Sequence, residues 1–279
     1  MSRALLAAAA VIAALSPLPL SAQATQFLTD TSLRLTAARY APAEVDIHWD
    51  GWIGAGIGLA RVREATLYLE GDVETVLGNE RRSFEANQSN YHLELGVRRA
   101  APWGEASVFL HHVSRHAVDR AKDPPIDWNV VMIGARGVFD LPGPGRIRSR
   151  WRATAGRMLH VSNVGYRWEA RGATEHDLLR RSWGVGLVST ELRLMKTIST
   201  PLFPRTGFFD AKIEASLRAL RERRSFEAFV AVERRNDVRL LSPEARRRLV
   251  IGVRLGLSGG DAARDPGAPA GSTPWCSWR

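Results

Sequence analysis

One short segment carries the residue types that acyl-transfer chemistry needs, and a second gathers three histidines around a serine. His160-Val161-Ser162-Asn163 sets an imidazole and a hydroxyl two residues apart. Positions i and i+2 of a strand share a face, so the two side chains can approach each other. A serine is a poor nucleophile until a neighbouring imidazole takes its proton. The second segment is His111-His112-Val113-Ser114-Arg115-His116, ending near Asp119. On a strand His112, Ser114 and His116 align, whereas a helical turn would be needed to bring His112 and His116 together as ligands. Histidines this dense are also metal-ligand types. Two histidines with Asp119 would make such a site, but no metal site is assigned and no cofactor is expected.

The elements that must position these groups are strands. Gly145 to Gly165 begins with strict alternation: Arg146, Arg148, Arg150 and Arg152 point one way, Ile147, Ser149, Trp151 and Ala153 the other. A soluble core does not accept a row of arginines on a buried face. The face must meet water or line the wet interior of a barrel. The same period recurs along the chain. Leu67, Leu69, Gly71 and Val73 oppose Tyr68, Glu70, Asp72 and Glu74; Tyr91, Leu93, Leu95 and Val97 oppose His92, Glu94, Gly96 and Arg98. Phe209, Ala211, Ile213, Ala215 and Leu217 oppose Asp210, Lys212, Glu214, Ser216 and Arg218, and Leu249 to Leu257 closes the series. The first strand reads as Ser32 to Ala38, and the arginine strand as Arg146 to Arg157.

Eleven or twelve such segments, each about nine to thirteen residues long, suit a bilayer crossed at a tilt. Connections alternate between short and long, as in bacterial barrels. A β-sandwich also alternates, but its strands run to about five or six residues. The expected fold is all-β: a transmembrane antiparallel β-barrel of about 12 strands, with apolar faces toward lipid and charged faces filling the lumen. Glu70, Glu94, Asp210 and Glu214 are the expected partners of the arginine row.

Composition agrees. The formal net charge is +10, and only Lys122, Lys196 and Lys212 among 39 basic residues are lysine. The arginines are spread through alternating segments rather than gathered into a patch, so nucleic acid is not an expected partner. Outer-membrane lipid or lipopolysaccharide is. Cys276 stands alone, which excludes an intramolecular disulfide. Residues 1–24 read as a signal peptide, with Arg3, the apolar run Ala4 to Leu15, the breakers Pro17 and Pro19, and the small-x-small site Ala22-Gln23-Ala24. Residues 25–258 form the expected barrel and 259–279 a mobile tail. Placed in a bacterial outer membrane with both termini periplasmic, twelve strands bring the two histidine-serine segments to the extracellular rim, with Asp127–Phe139 between them.

His160-Val161-Ser162-Asn163-Val164-Gly165 resembles the His-x-Ser-Asn motif of the outer-membrane lipid A deacylases. That resemblance implies His160 as base and Ser162 as nucleophile on an acyl ester, with Glu175 or Glu169 supplying the acid that orients the histidine. The His111–His116 run resembles an uncharacterised group of outer-membrane proteins, from which no mechanism follows. Three functions are therefore carried forward. They are a barrel of undetermined activity with a charged, filled lumen, a lipid acyl-ester hydrolase using a His-Ser pair at the extracellular rim, and a narrow anion pore.

Overall fold

Each strand presents one apolar and one polar face, and the chain satisfies both by closing a single sheet on itself. The computed structural model describes residues 25–118, 126–142, 147–199, 204–236 and 244–260. The strands are β1 (Gln26–Phe27), β2 (Asp30–Glu44), β3 (Ile47–Val62), β4 (Ala65–Gly78), β5 (Glu85–Ala101), β6 (Gly104–Ala117) and β7 (Ile126–Leu141). They continue as β8 (Ile147–Ser162), β9 (Tyr166–Arg181), β10 (Gly184–Thr197), β11 (Gly207–Arg221), β12 (Arg224–Arg235) and β13 (Arg246–Gly260). β2 to β13 pair antiparallel with their sequence neighbours, and β13 returns to β2. The twelve long strands thus form a closed barrel, which leaves no unpaired edge. β1 is a two-residue extension against β3.

The first strand is longer than Ser32 to Ala38, and the arginine strand runs on through Ser162, so His160 and Ser162 lie inside β8. β13 reaches Gly260, two residues into the expected tail. Residues 1–24, Asp119, Arg146 and residues 261–279 lie outside the described residues. No described helix is long and apolar enough to cross a membrane.

The outer face is greasy and open. Ile213 and Val232 are cross-strand partners, yet stay 62% and 61% exposed. An apolar band on every strand is unstable in water and stable against lipid tails. Two-residue turns at 63–64, 102–103, 182–183 and 222–223 share one end of the barrel with β1 and the end of β13. In bacterial barrels short turns mark the periplasmic end. The other end, with the histidine-serine segments, carries the four longest connections, 79–84, 118–125, 198–206 and 236–245, beside short ones at 45–46 and 163–165.

The inner face is an ion-pair lattice. Arg34 meets Asp72 at 2.9 Å, Arg235 meets Glu74 at 2.9 Å, and Arg254 meets Glu227 at 2.9 Å. The arginine row does pair in the lumen, but not with the acids expected from sequence. Arg150 bonds Glu175 at 2.8 Å and Asp177 at 2.6 Å, and Arg152 approaches Glu191 at 3.9 Å. These acids sit on β9, next to β8, and on β10 one strand further, whereas Glu70, Glu94, Asp210 and Glu214 lie on more distant strands and find other partners. Glu169 accepts from Arg171 Nε at 2.6 Å and Arg193 Nε at 2.5 Å, and is wholly buried. Gly54 makes room for this lattice: a Cβ there would sit 1.8 Å from Asp72 Oδ1 and 3.3 Å from Arg34.

Part of the lumen is apolar instead. Tyr68, Phe109, Val113, Ile126, Trp128, Val130, Met132, Val164, Tyr166 and Met195 form one packed cluster. The expected charged lumen is therefore only part of the interior.

Two outcomes follow. Glu169→Ala strands two buried guanidinium groups, so it should lower the unfolding free energy by about 3–5 kcal/mol in urea titrations of the vesicle-embedded barrel. With Glu94, His111 and Glu169 at 0% exposure across the lumen, planar-bilayer recordings should show no steady conductance.

A candidate ester-hydrolysis site on the outer wall

Three adjacent strands each contribute one tripeptide of the form polar, apolar, polar near the long-connection end. They are His112-Val113-Ser114 on β6, Asp127-Trp128-Asn129 on β7 and His160-Val161-Ser162 on β8. Their registers interlock. His112 faces Asn129, which faces His160; Ser114 faces Asp127, which faces Ser162. The result is two rows across the sheet, His-Asn-His and Ser-Asp-Ser, symmetric about β7. Directly opposed residues lie about 4.5–5.5 Å apart at Cβ, close enough for side chains to interact.

The middle residues of the tripeptides point into the barrel. Val113 and Trp128 are buried at 1% and 2%, and Val161 packs against the same internal cluster. Trp128 meets Tyr166 edge-on with ring centroids 5.1 Å apart. The polar residues therefore point outward, toward lipid. Leu110, beside them on the same face, is 41% exposed. This packed plug holds the backbone beneath the polar rows, a rigid support of the kind a reactive constellation needs.

β8 reaches this arrangement through an irregularity. Its even-numbered residues Arg150, Arg152, Thr154 and Met158 face the lumen. Continued alternation would send His160 and Ser162 inward as well. Instead the pairing passes from Val130–Met158 to Asn129–His160, leaving Leu159 as an extra residue. A bulge of one residue exchanges the faces of everything beyond it. His160 and Ser162 thereby join the outer wall.

The hydrogen bonds distinguish the two pairs. His112 Nδ1 lies 2.8 Å from Asn129 Oδ1. An amide oxygen only accepts, so Nδ1 carries the proton and Nε2 keeps its lone pair. That is the tautomer of a general base. Ser114 Oγ, two residues along the same face, lies 2.6 Å from His116 Nε2, and His116 stands edge-on to Tyr91 at 5.8 Å. On β8, His160 Nε2 lies 3.0 Å from Ser162 Oγ and 3.4 Å from Asp127 Oδ1. Both neighbours meet the same nitrogen. A proton donated to Asp127 removes the lone pair that would accept from Ser162, so this trio is not a relay.

The structure does bring His160 and Ser162 together, but it places the acids implied for them elsewhere. Glu175 faces the lumen, 2.8 Å from Arg150 and 2.8 Å from Arg218, and Glu169 is buried beside Arg171 and Arg193. The barrel wall stands between them and His160. The carboxylate beside His160 is Asp127, two residues from Asn129; sequence reading passed over both. The three-histidine run also divides, because His111 is wholly buried in the lumen, 3.4 Å from His92. Among the described residues no group of three or more His, Cys, Asp or Glu side chains is arranged to hold a metal ion.

No protein-family model and no curated protein matches the chain, so the deacylase resemblance of His160–Gly165 gains no support there. Solved structures do match. The outer membrane phospholipase of Salmonella typhi, a dimer with bound calcium, superposes with a TM-score of 0.52 at 11% identity, over 88% of this chain and 96% of that one. The translocator domain of the autotransporter NalP from Neisseria meningitidis gives 0.39 at 10% identity, over 91% and 95%. The β domain of the Bordetella autotransporter BrkA gives 0.38 at 10% identity, over 84% and 99%. At such identities the likeness is one of fold: the chain has the closed antiparallel architecture of bacterial outer-membrane β-barrels.

Proposed function

We propose that the chain hydrolyses acyl esters of membrane lipids at the outer wall of its barrel, with Ser114 as nucleophile, His112 as general base and Asn129 orienting the base. The observation that carries this reading is the 2.8 Å contact between His112 Nδ1 and Asn129 Oδ1 on a lipid-facing surface. A polar row there has no structural reason to exist, since lipid rewards only apolar side chains. It lies near the end of the barrel that carries the longer connections, with Tyr91 opposite Ser114 and Trp168 in the row below His112. Aromatic side chains of barrels gather at the boundary between acyl chains and headgroups, the depth at which lipid ester bonds lie. One protein of this fold, the Salmonella typhi enzyme, is a phospholipase.

In the proposed reaction Ser114 Oγ attacks the ester carbonyl while His112 Nε2 takes its proton, then returns that proton to the departing alcohol. Water, deprotonated by the same nitrogen, releases the fatty acid from the acyl-serine. Asn129 keeps the ring in the reactive tautomer throughout. Ser114 Oγ turns about its Cα–Cβ bond to leave His116 for His112, a change open to a serine rotamer. Catalytic contacts commonly tighten only once substrate is bound. No step is assigned to a cation.

A second reading makes His116 the base, because its Nε2 already lies 2.6 Å from Ser114 Oγ. Fatty-acid release from phospholipid vesicles separates the two. Ser114→Ala and His112→Ala should each lose at least about a hundredfold in rate. Asn129→Ala should lose about tenfold, the worth of one buried neutral hydrogen bond. His116→Ala and Ser162→Ala should retain most activity. A dead His116→Ala beside an active His112→Ala would move the base to His116. A dead Ser162→Ala beside an active Ser114→Ala would return the site to His160 and Ser162.

A further inference from the structure

We infer that Asp127 selects lipids whose headgroup carries an ammonium group, an inference that rests on hydrolysis at Ser114. Most strand carboxylates of the described residues, such as Glu70, Glu74, Glu94 and Glu169, are buried on the lumen side. Asp127, the second residue of β7, is turned to the outer wall instead. It stands between Ser114 and Ser162 in one cross-strand row, its side chain 27% exposed.

Nothing in the wall neutralises it well. Among the described residues its one close cationic candidate is His160, whose Nε2 is 3.4 Å from Oδ1, longer than a strong charge-assisted hydrogen bond, and 3.0 Å from Ser162 Oγ. Nε2 carries at most one proton and the hydroxyl is the nearer neighbour. Arg157, the outward arginine of β8, lies opposite Val131 rather than beside Asp127, and no arginine of the described residues forms an ion pair with Asp127. An anion at the headgroup boundary of a lipid-facing wall is therefore left to a cation supplied by the lipid. Adjacent strands are about 4.8 Å apart. An ester held at Ser114 thus brings its own headgroup over the neighbouring strand, where Asp127 stands. A phosphoethanolamine headgroup offers an ammonium there. A phosphoglycerol headgroup offers only its phosphate, which the carboxylate repels.

The test compares vesicles of phosphatidylethanolamine and phosphatidylglycerol with the same acyl chains and reads fatty-acid release. The parent should cleave the ethanolamine lipid about tenfold faster, the size of one partly screened charge contact. Asp127→Asn should bring the ratio close to one, and Asp127→Glu should preserve the preference. Asp127→Ser, which matches the serines on either side, repeats the neutral test should the asparagine variant fold poorly. Ser114-dependent cleavage with equal rates on the two lipids, or an unchanged ratio in the neutral variants, would overturn the selection and leave the hydrolase standing. Absence of Ser114-dependent cleavage of either lipid would overturn both.

Discussion

Closure of the hydrogen-bond ladder between β13 and β2 is the constraint from which the rest follows. A sheet with no edge has two faces and two solvents. Every side chain is committed to lipid or to the enclosed interior by its parity along the strand. Ion pairs such as Arg254 with Glu214 and Glu227 are expensive to bury in a soluble core, yet here they fill a space that lipid cannot enter. Ile251 and Leu255, on the same strand and the opposite parity, supply the apolar exterior. The two sets of residues are complementary consequences of one backbone geometry.

The candidate site uses the same constraint against its usual outcome. On β6 to β8 the outward parity carries His112, Asn129, His160, Ser114, Asp127 and Ser162 where isoleucine and leucine stand elsewhere. The inward parity carries Val113, Trp128, Val130 and Met132, with His111 and Arg115 remaining inside on either side of Val113. The exchange is partial. Apolar packing inside fixes the backbone on which polar groups outside are displayed. Local inversion of a fold's own rule is where functional pressure shows itself, because the inverted residues contribute nothing that the rule itself needs.

Much of the barrel was legible in the sequence because the period of two is a one-dimensional signal. Leu67 to Val73 and Phe209 to Leu217 reveal both strand and facing with no knowledge of neighbours. The site was less so. Asn129 and Asp127 sit in a segment whose two parities are both largely apolar, Val131 and Ile133 outward, Val130 and Met132 inward, so alternation is silent there. The shift at Leu159 is a property of pairing with β7, invisible within β8 alone. Glu169 and Glu175, the acids that the resemblance implies, both follow Ser162 along the chain. Nearness in sequence says little once a wall of backbone separates the faces. The cross-strand register, which only the structure supplies, is what joined His112 to Asn129 rather than either histidine to a glutamate.

An activated Ser114 open to the lipid phase is the property on which hydrolysis at this wall depends. A fluorophosphonate bearing an alkyl chain, added to vesicles containing the barrel, reports this by peptide mass spectrometry. The predicted result is a single adduct on Ser114 that disappears when His112 is replaced by alanine. An adduct on Ser162, or none on either serine in a correctly folded barrel, would contradict it.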